Sequence, residues 1–91
     1  MSSIAVEDLE RLILTHSLPT DTKARVKCSL RVLERFPRLG RKLDGRWTAY
    51  RFILGPWRWL LILYVYDEPQ DLVLVVSIQD ARSPTAATFE R

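Results

Sequence analysis

One cysteine and one histidine occur in the 91 residues, and each scarcity excludes a class of chemistry. Cys28 alone can close no internal disulfide and build no thiolate zinc site. His16 alone offers no metal-ligand spacing, and it falls on an apolar stripe, where a structural histidine is commoner than a catalytic base. Three glycines and five prolines exclude a collagenous or low-complexity chain. No phosphate-cradling glycine loop and no dinucleotide fingerprint occurs. The longest unbroken apolar run, Trp59 to Tyr66, spans eight residues, against the roughly twenty that a membrane span needs. The opening Met-Ser-Ser-Ile-Ala-Val-Glu-Asp lacks the basic start and apolar middle of a signal peptide. These absences set the expectation of a cytoplasmic protein with no metal, no cofactor and no membrane contact.

What is present is the composition of one globular domain covering 1–91, with 47% hydrophobic and 27% charged residues. The net charge of +3 is unevenly spread. Eleven of the fourteen basic residues fall in 23–58, where the only acids are Glu34 and Asp44, and both flanks are net acidic. A basic middle between acidic ends suits a polyanion or an acidic protein partner, or else a solvated cationic helix face.

The first third has helical period. Ala5, Leu9, Leu12, Ile13 and His16 recur at three- and four-residue steps, and Pro19 ends that pattern. Thr20-Asp21-Thr22 offers capping side chains for a second helix reaching about Phe36. Val26, Leu30 and Leu33 form its apolar stripe, with Lys23, Lys27, Arg31 and Arg35 at i,i+4 spacing on the other side. Pro37 stops it. A helical hairpin over about 5–36 is therefore predicted.

The period then changes to two. Arg46–Leu54, Trp57–Tyr66 and Leu72–Gln79 are rich in aromatic and β-branched residues, separated by Gly55-Pro56 and by Asp67-Glu68-Pro69-Gln70. Such short connections predict antiparallel hairpins. The expected fold is α+β: an N-terminal helical hairpin packed on a three-stranded antiparallel sheet over about 46–80, with a short C-terminal tail. The central strand is apolar on both faces, with Trp57, Trp59, Leu61 and Leu63 on one and Leu60, Ile62, Tyr64 and Tyr66 on the other. One helical layer covers one face. The other must be covered by curling of the sheet, by the tail or by a second chain, and the extent of apolar surface favours a second chain, either a partner or another copy.

No standard catalytic set is assembled by spacing. Asp67 and Glu68 are explained by turn chemistry. Arg38, Arg41, Lys42, Arg46, Arg51 and Arg58 alternate with Trp47, Tyr50, Trp57, Trp59 and Tyr64, a mixture that can grip a nucleic-acid backbone or receive an acidic amphipathic peptide.

Several short strings, in order over 2–82, resemble the RelE/ParE toxins of bacterial type II toxin–antitoxin systems. Ser2, Ala5, Asp8 and Leu9 match the family's S-x-x-A-x-x-D-L helix start. Leu33, Phe36, Pro37, Gly40 and Arg41 match L-x-x-F-P-x-x-G-R, and Tyr64, Tyr66 and Asp67 match Y-x-Y-D. Ile78 to Arg82 is similar in outline to an I-x-H-x-x-R ending, with Gln79 near the place of its imidazole. The family's usual first strand has no counterpart ahead of Ser2. The position at which ribonucleases of the RelE branch carry an arginine is Leu61, with Arg58 three residues earlier.

These departures tilt the resemblance toward the ParE branch, whose members inhibit DNA gyrase without a known hydrolytic site. The resemblance implies growth inhibition by binding a macromolecular target, and neutralisation by a cognate antitoxin carrying an acidic amphipathic helix. Contact with target or antitoxin is expected at Arg51, Trp57, Arg58, Trp59, Leu61, Leu63 and Arg82. Two other readings stand beside it. One is a ribosome-dependent mRNA endoribonuclease with Arg58, Tyr64 and Arg82 as catalytic candidates; the other is an inactive interaction module of the same fold.

Overall fold

Ser2 starts the first helix by accepting the Ala5 amide on its hydroxyl at 3.1 Å, which satisfies one of the free donors at a helix N-terminus. In the computed structural model, which describes residues 2–43, 45, 48–84 and 86, this helix α1 runs Ser3–Thr15, and His16 caps it. The second predicted helix is interrupted. α2 spans Thr22–Leu30 and α3 spans Val32–Arg35, with the Arg31 amide tightening onto the Cys28 carbonyl at 3.2 Å between them. Asp21 makes no side-chain cap; it pairs with Arg25 at 3.0 Å, and the buried Thr22 hydroxyl donates to the Pro19 carbonyl at 2.6 Å instead.

Among the described residues the sheet has four antiparallel strands, in the order β1 (Arg41–Lys42), β2 (Arg51–Leu54), β3 (Leu60–Asp67) and β4 (Leu72–Asp80). Three were expected. The extra strand is a two-residue pairing, Arg41 opposite Phe52 and Lys42 opposite Arg51, too short to carry a period in sequence. Of the expected first strand, Arg46 and Trp47 lie outside the described residues. The rest begins only at Arg51, because Gly45 at φ 64° and the bond from the Thr48 amide to the Gly45 carbonyl make a turn there. Trp57–Trp59 is also turn rather than strand: the Gly55 amide closes onto the Leu60 carbonyl at 2.8 Å.

β3 is the centre of the molecule, and Leu60–Tyr64 are all fully buried. Against one face pack Ala5 and Leu9 of α1, Val26 of α2 and Leu33 of α3, onto Leu60, Ile62, Tyr64, Val75 and Ile78. The stripes read from helical period therefore point at the sheet. Lys23, Lys27, Arg31 and Arg35 are exposed. On the opposite face Leu61 and Leu63 lie beneath Leu43 and Ala86, with Tyr50, Phe52, Val76 and Ala81 around them. Leu43 after β1 and Ala81 and Ala86 after β4 thus cover part of that face from within the chain. This corrects the expectation that Leu61 and Leu63 form an open contact surface, since both are fully buried.

α1 is docked along the outer edge of β4. The Ser2 amide donates to the Val75 carbonyl at 2.9 Å, and the Ser2 hydroxyl to the Val76 carbonyl at 3.3 Å. Asp8 Oδ2 accepts the Ile78 amide at 3.2 Å and the Ser77 hydroxyl at 2.9 Å. His16 Nε2 lies 3.1 Å from Asp80 Oδ2. An edge strand presents unpaired backbone groups, and these three residues occupy the C-terminal half of this one. At Leu63/Tyr64 the register shifts, so that Val76 is an extra residue on β4.

Candidate functional site

Two clusters of charged and aromatic side chains form at opposite ends of the sheet. At the first, β1 and β2 carry Lys42 and Arg51 side by side. With Thr48, Tyr50, Tyr66 and Glu68 they line a cleft of about 240 Å³. Arg51 is held in place because one guanidinium nitrogen donates to the Arg38 carbonyl at 3.2 Å and the Gly40 carbonyl at 2.9 Å. Lys42 is exposed and has no ion-pair partner among the described residues. At the cleft wall Glu68 pairs with Arg38 at 2.8 Å, and the Arg38 guanidinium lies 5.3 Å from the centre of the Tyr66 ring. The bond from Arg38 holds the Glu68 carboxyl below its usual range, and the hydrogen bond to Asp71 raises the Tyr66 phenol. Glu68 begins a 3₁₀ turn, Glu68–Gln70, as turn chemistry predicted. Its pairing with Arg38, thirty positions away, leaves no signal in spacing.

Tyr64 sits beneath this loop and is fully buried. Its hydroxyl donates to the Pro37 carbonyl at 2.8 Å and accepts the Gly40 amide at 2.8 Å. Burial raises its phenol above the ordinary value. A hydroxyl committed to two backbone groups and closed off from solvent cannot serve a substrate, which corrects its candidacy as a catalytic acid.

The second cluster lies where β4 ends and α1 ends. Arg82 grips the Asp80 carboxylate with two nitrogens at 2.9 and 3.0 Å, and its guanidinium lies 4.7 Å from the centre of the Trp59 ring. His16 stacks on Trp59 at 5.0 Å, Trp57 stacks on Trp59 at 5.9 Å, and Arg25 lies 5.8 Å over Trp57. The Arg82 bonds pull Asp80 down to about 2. Thr15 Oγ1 is 2.9 Å from His16 Nδ1, so both ring nitrogens have neighbours. The corner is a closed ladder of cations and rings in which each partner satisfies another.

The sequence-predicted residues are therefore divided rather than gathered. Trp57, Trp59 and Arg82 belong to the second cluster, and Arg58 is exposed in the turn between the two tryptophans. Trp57 and Trp59 pack toward the helical face, not with Leu61 and Leu63 as strand alternation predicted. Arg51 stands opposite Tyr64, whereas Asp80 stands opposite Leu60, four residues along β3. At about 3.3 Å per residue these positions are roughly 13 Å apart. Arg58, Tyr64 and Arg82 do not converge on one reacting atom. Among the described residues no group of three His, Cys, Asp or Glu is placed to hold a metal ion, and no helix is long and apolar enough to cross a membrane.

Several of the motif residues have architectural roles. Ser2 caps α1 and touches β4, Ala5 and Leu9 are core, and Asp8 holds β4. Leu33 is core, and Pro37 and Gly40 receive Tyr64. The chain matches no protein-family model, no curated protein and no solved structure.

Proposed function

We propose that this chain is a toxin-like component of a bacterial type II toxin–antitoxin module of the RelE/ParE kind. In this reading it acts in the cytoplasm by holding a macromolecular target, with DNA gyrase the target that the ParE branch implies. A cognate antitoxin with an acidic amphipathic helix silences it. The motif order supports the family reading. The observation that carries binding over cleavage is the fate of the catalytic candidates: Tyr64 is spent on the backbone, and Arg58 and Arg82 lie at the far end of the sheet. Cleaving RNA through its 2′-hydroxyl needs a base, an acid and charge stabilisation around one phosphate. The Lys42–Arg51 cleft supplies charge for an anionic surface. Among the described residues the one carboxylate lining it, Glu68, is a weakened base because Arg38 already holds it.

The endoribonuclease reading retains one specific support, the presence of Glu68 and Tyr66 beside Lys42 and Arg51 in a single cleft. Induction in a growing bacterial host separates the readings, with plasmid supercoiling, replication and mRNA integrity followed together. The expected result is growth arrest with altered supercoiling and intact mRNA, relieved by Lys42→Ala with Arg51→Ala at equal soluble level. Fragmented mRNA would transfer the assignment to the ribonuclease. Unimpaired growth at high soluble level would leave an inactive interaction module.

A further inference from the structure

We propose that the open N-terminal half of β4 is a docking edge for an extended segment of a partner protein in which apolar residues alternate with lysine or arginine. The proposal does not depend on growth inhibition. It starts from backbone direction. The Val75 carbonyl points away from β3, because it accepts the Ser2 amide. With the period of two along a strand, the amide and carbonyl of Val73 face the same open side. Among the described residues the edge is protected from Val75 onward, by α1 through Ser2, Asp8 and His16. A strand laid against Leu72–Leu74 would extend the ladder by β-augmentation.

Side-chain sites flank this edge on both faces. Toward the helices, a groove of about 380 Å³ is lined by Leu30, Leu33, Val73 and Val75 together with Glu34 and Asp71. On the other face Leu72 and Leu74 are 51% and 46% exposed. An incoming strand therefore meets apolar surface with its odd and its even side chains. Among the described residues the only titratable groups lining the groove are the two carboxylates. Glu34 has no ion-pair partner among the described residues; Asp71 Oδ1 takes the Tyr66 hydroxyl at 2.8 Å and lies within the field of the Arg38 guanidinium, so Glu34 is the freer of the two. This acidic groove sits on a chain of net charge +3, so a basic strand is selected locally and not by the overall field. A second copy fits poorly, because its β4, Leu72–Asp80, contains no lysine or arginine to meet those carboxylates, and its basic edge β1, Arg41–Lys42, is only two residues long.

The test uses the whole chain and two fluorescein-labelled ten-residue peptides, one alternating valine with lysine, the other valine with glutamate. Anisotropy should give the lysine peptide about tenfold tighter binding, and its addition should slow amide exchange at Val73. Glu34→Lys, at an exposed helix position, should erase the preference. Val73→Pro should abolish binding of both peptides, and should be tolerated because the lost amide faces away from β3. If circular dichroism shows that variant unfolded, the exchange pattern of the unmodified chain decides. Equal or tighter binding of the glutamate peptide, or no effect of Glu34→Lys, would overturn the proposal. So would a sedimenting dimer that Val73→Pro disperses, which would give the edge to a second copy.

Discussion

The Tyr64 hydroxyl occupies the space that Gly40 leaves by having no side chain. A Cβ at Gly40 would stand 2.5 Å from that oxygen and 2.8 Å from the Phe52 carbonyl. The pair joins the loop after α3 to the centre of β3, and the same loop positions the carbonyls that hold Arg51. A buried phenol thus shapes the cleft without entering it.

Gly40→Ala should destabilise the protein by about 1–3 kcal/mol, the usual cost of forcing a group into filled space. Tyr64→Phe should cost about the same, since the Gly40 amide and the Pro37 carbonyl lose their partner in a buried setting. Urea unfolding midpoints measure both. The double variant should cost less than the sum, because the phenol oxygen is the atom that a Gly40 methyl would strike. Strict additivity would show that the two positions do not share this contact.

Asp8→Ala should loosen α1 from β4. The Ile78 amide and the Ser77 hydroxyl lose their acceptor, at a cost of about 1–3 kcal/mol. Hydrogen exchange locates the effect: the Ile78 amide should lose protection before amides of β3. Uniform loss of protection across the sheet would instead mean that α1 and the sheet open as one unit.

Asp80 predicts a limb of the acid stability curve. Its carboxyl is lowered from 3.8 to about 2 when folded, chiefly by Arg82. The unfolded chain therefore binds its proton first on acidification, and the stabilisation present above about pH 4 is lost as pH falls toward about 2. Glu68, lowered by Arg38, adds to the loss in the same direction. Asp80→Asn should flatten the dependence of the urea midpoint on pH across that window. An unchanged slope would show that Arg82 does not hold the carboxylate in solution.

The cleft and the corner should separate in function. If the target is a polyanion, Lys42→Ala or Arg51→Ala should each reduce the log–log salt dependence of binding by roughly one unit. Arg82→Ala, whose guanidinium is engaged by Asp80 and Trp59, should leave that slope unchanged. An equal slope change from Arg82→Ala would move the contact surface to the tryptophan corner.

The element order was legible in sequence because it rests on short-range causes. The three- and four-residue recurrence of Ala5, Leu9, Leu12 and Ile13 and the breaks at Pro19, Pro37 and Gly55-Pro56 each act within a few residues. They place helices before an antiparallel sheet. Local pattern also selected Val26 and Leu33 for burial, and left Lys27 and Arg31 to solvent.

Only the tertiary structure decided what those elements bring together. His16 meets Asp80 across sixty-four positions, and Arg38 meets Glu68 across thirty. Strand alternation placed Trp57 and Trp59 with Leu61 and Leu63, but the turn at Gly55–Leu60 breaks the alternation before the strand begins. An apolar strand reads the same whether its second face is covered by another chain or by its own. Leu43 and Ala86 close over Leu61 and Leu63, a long-range choice that no local period encodes.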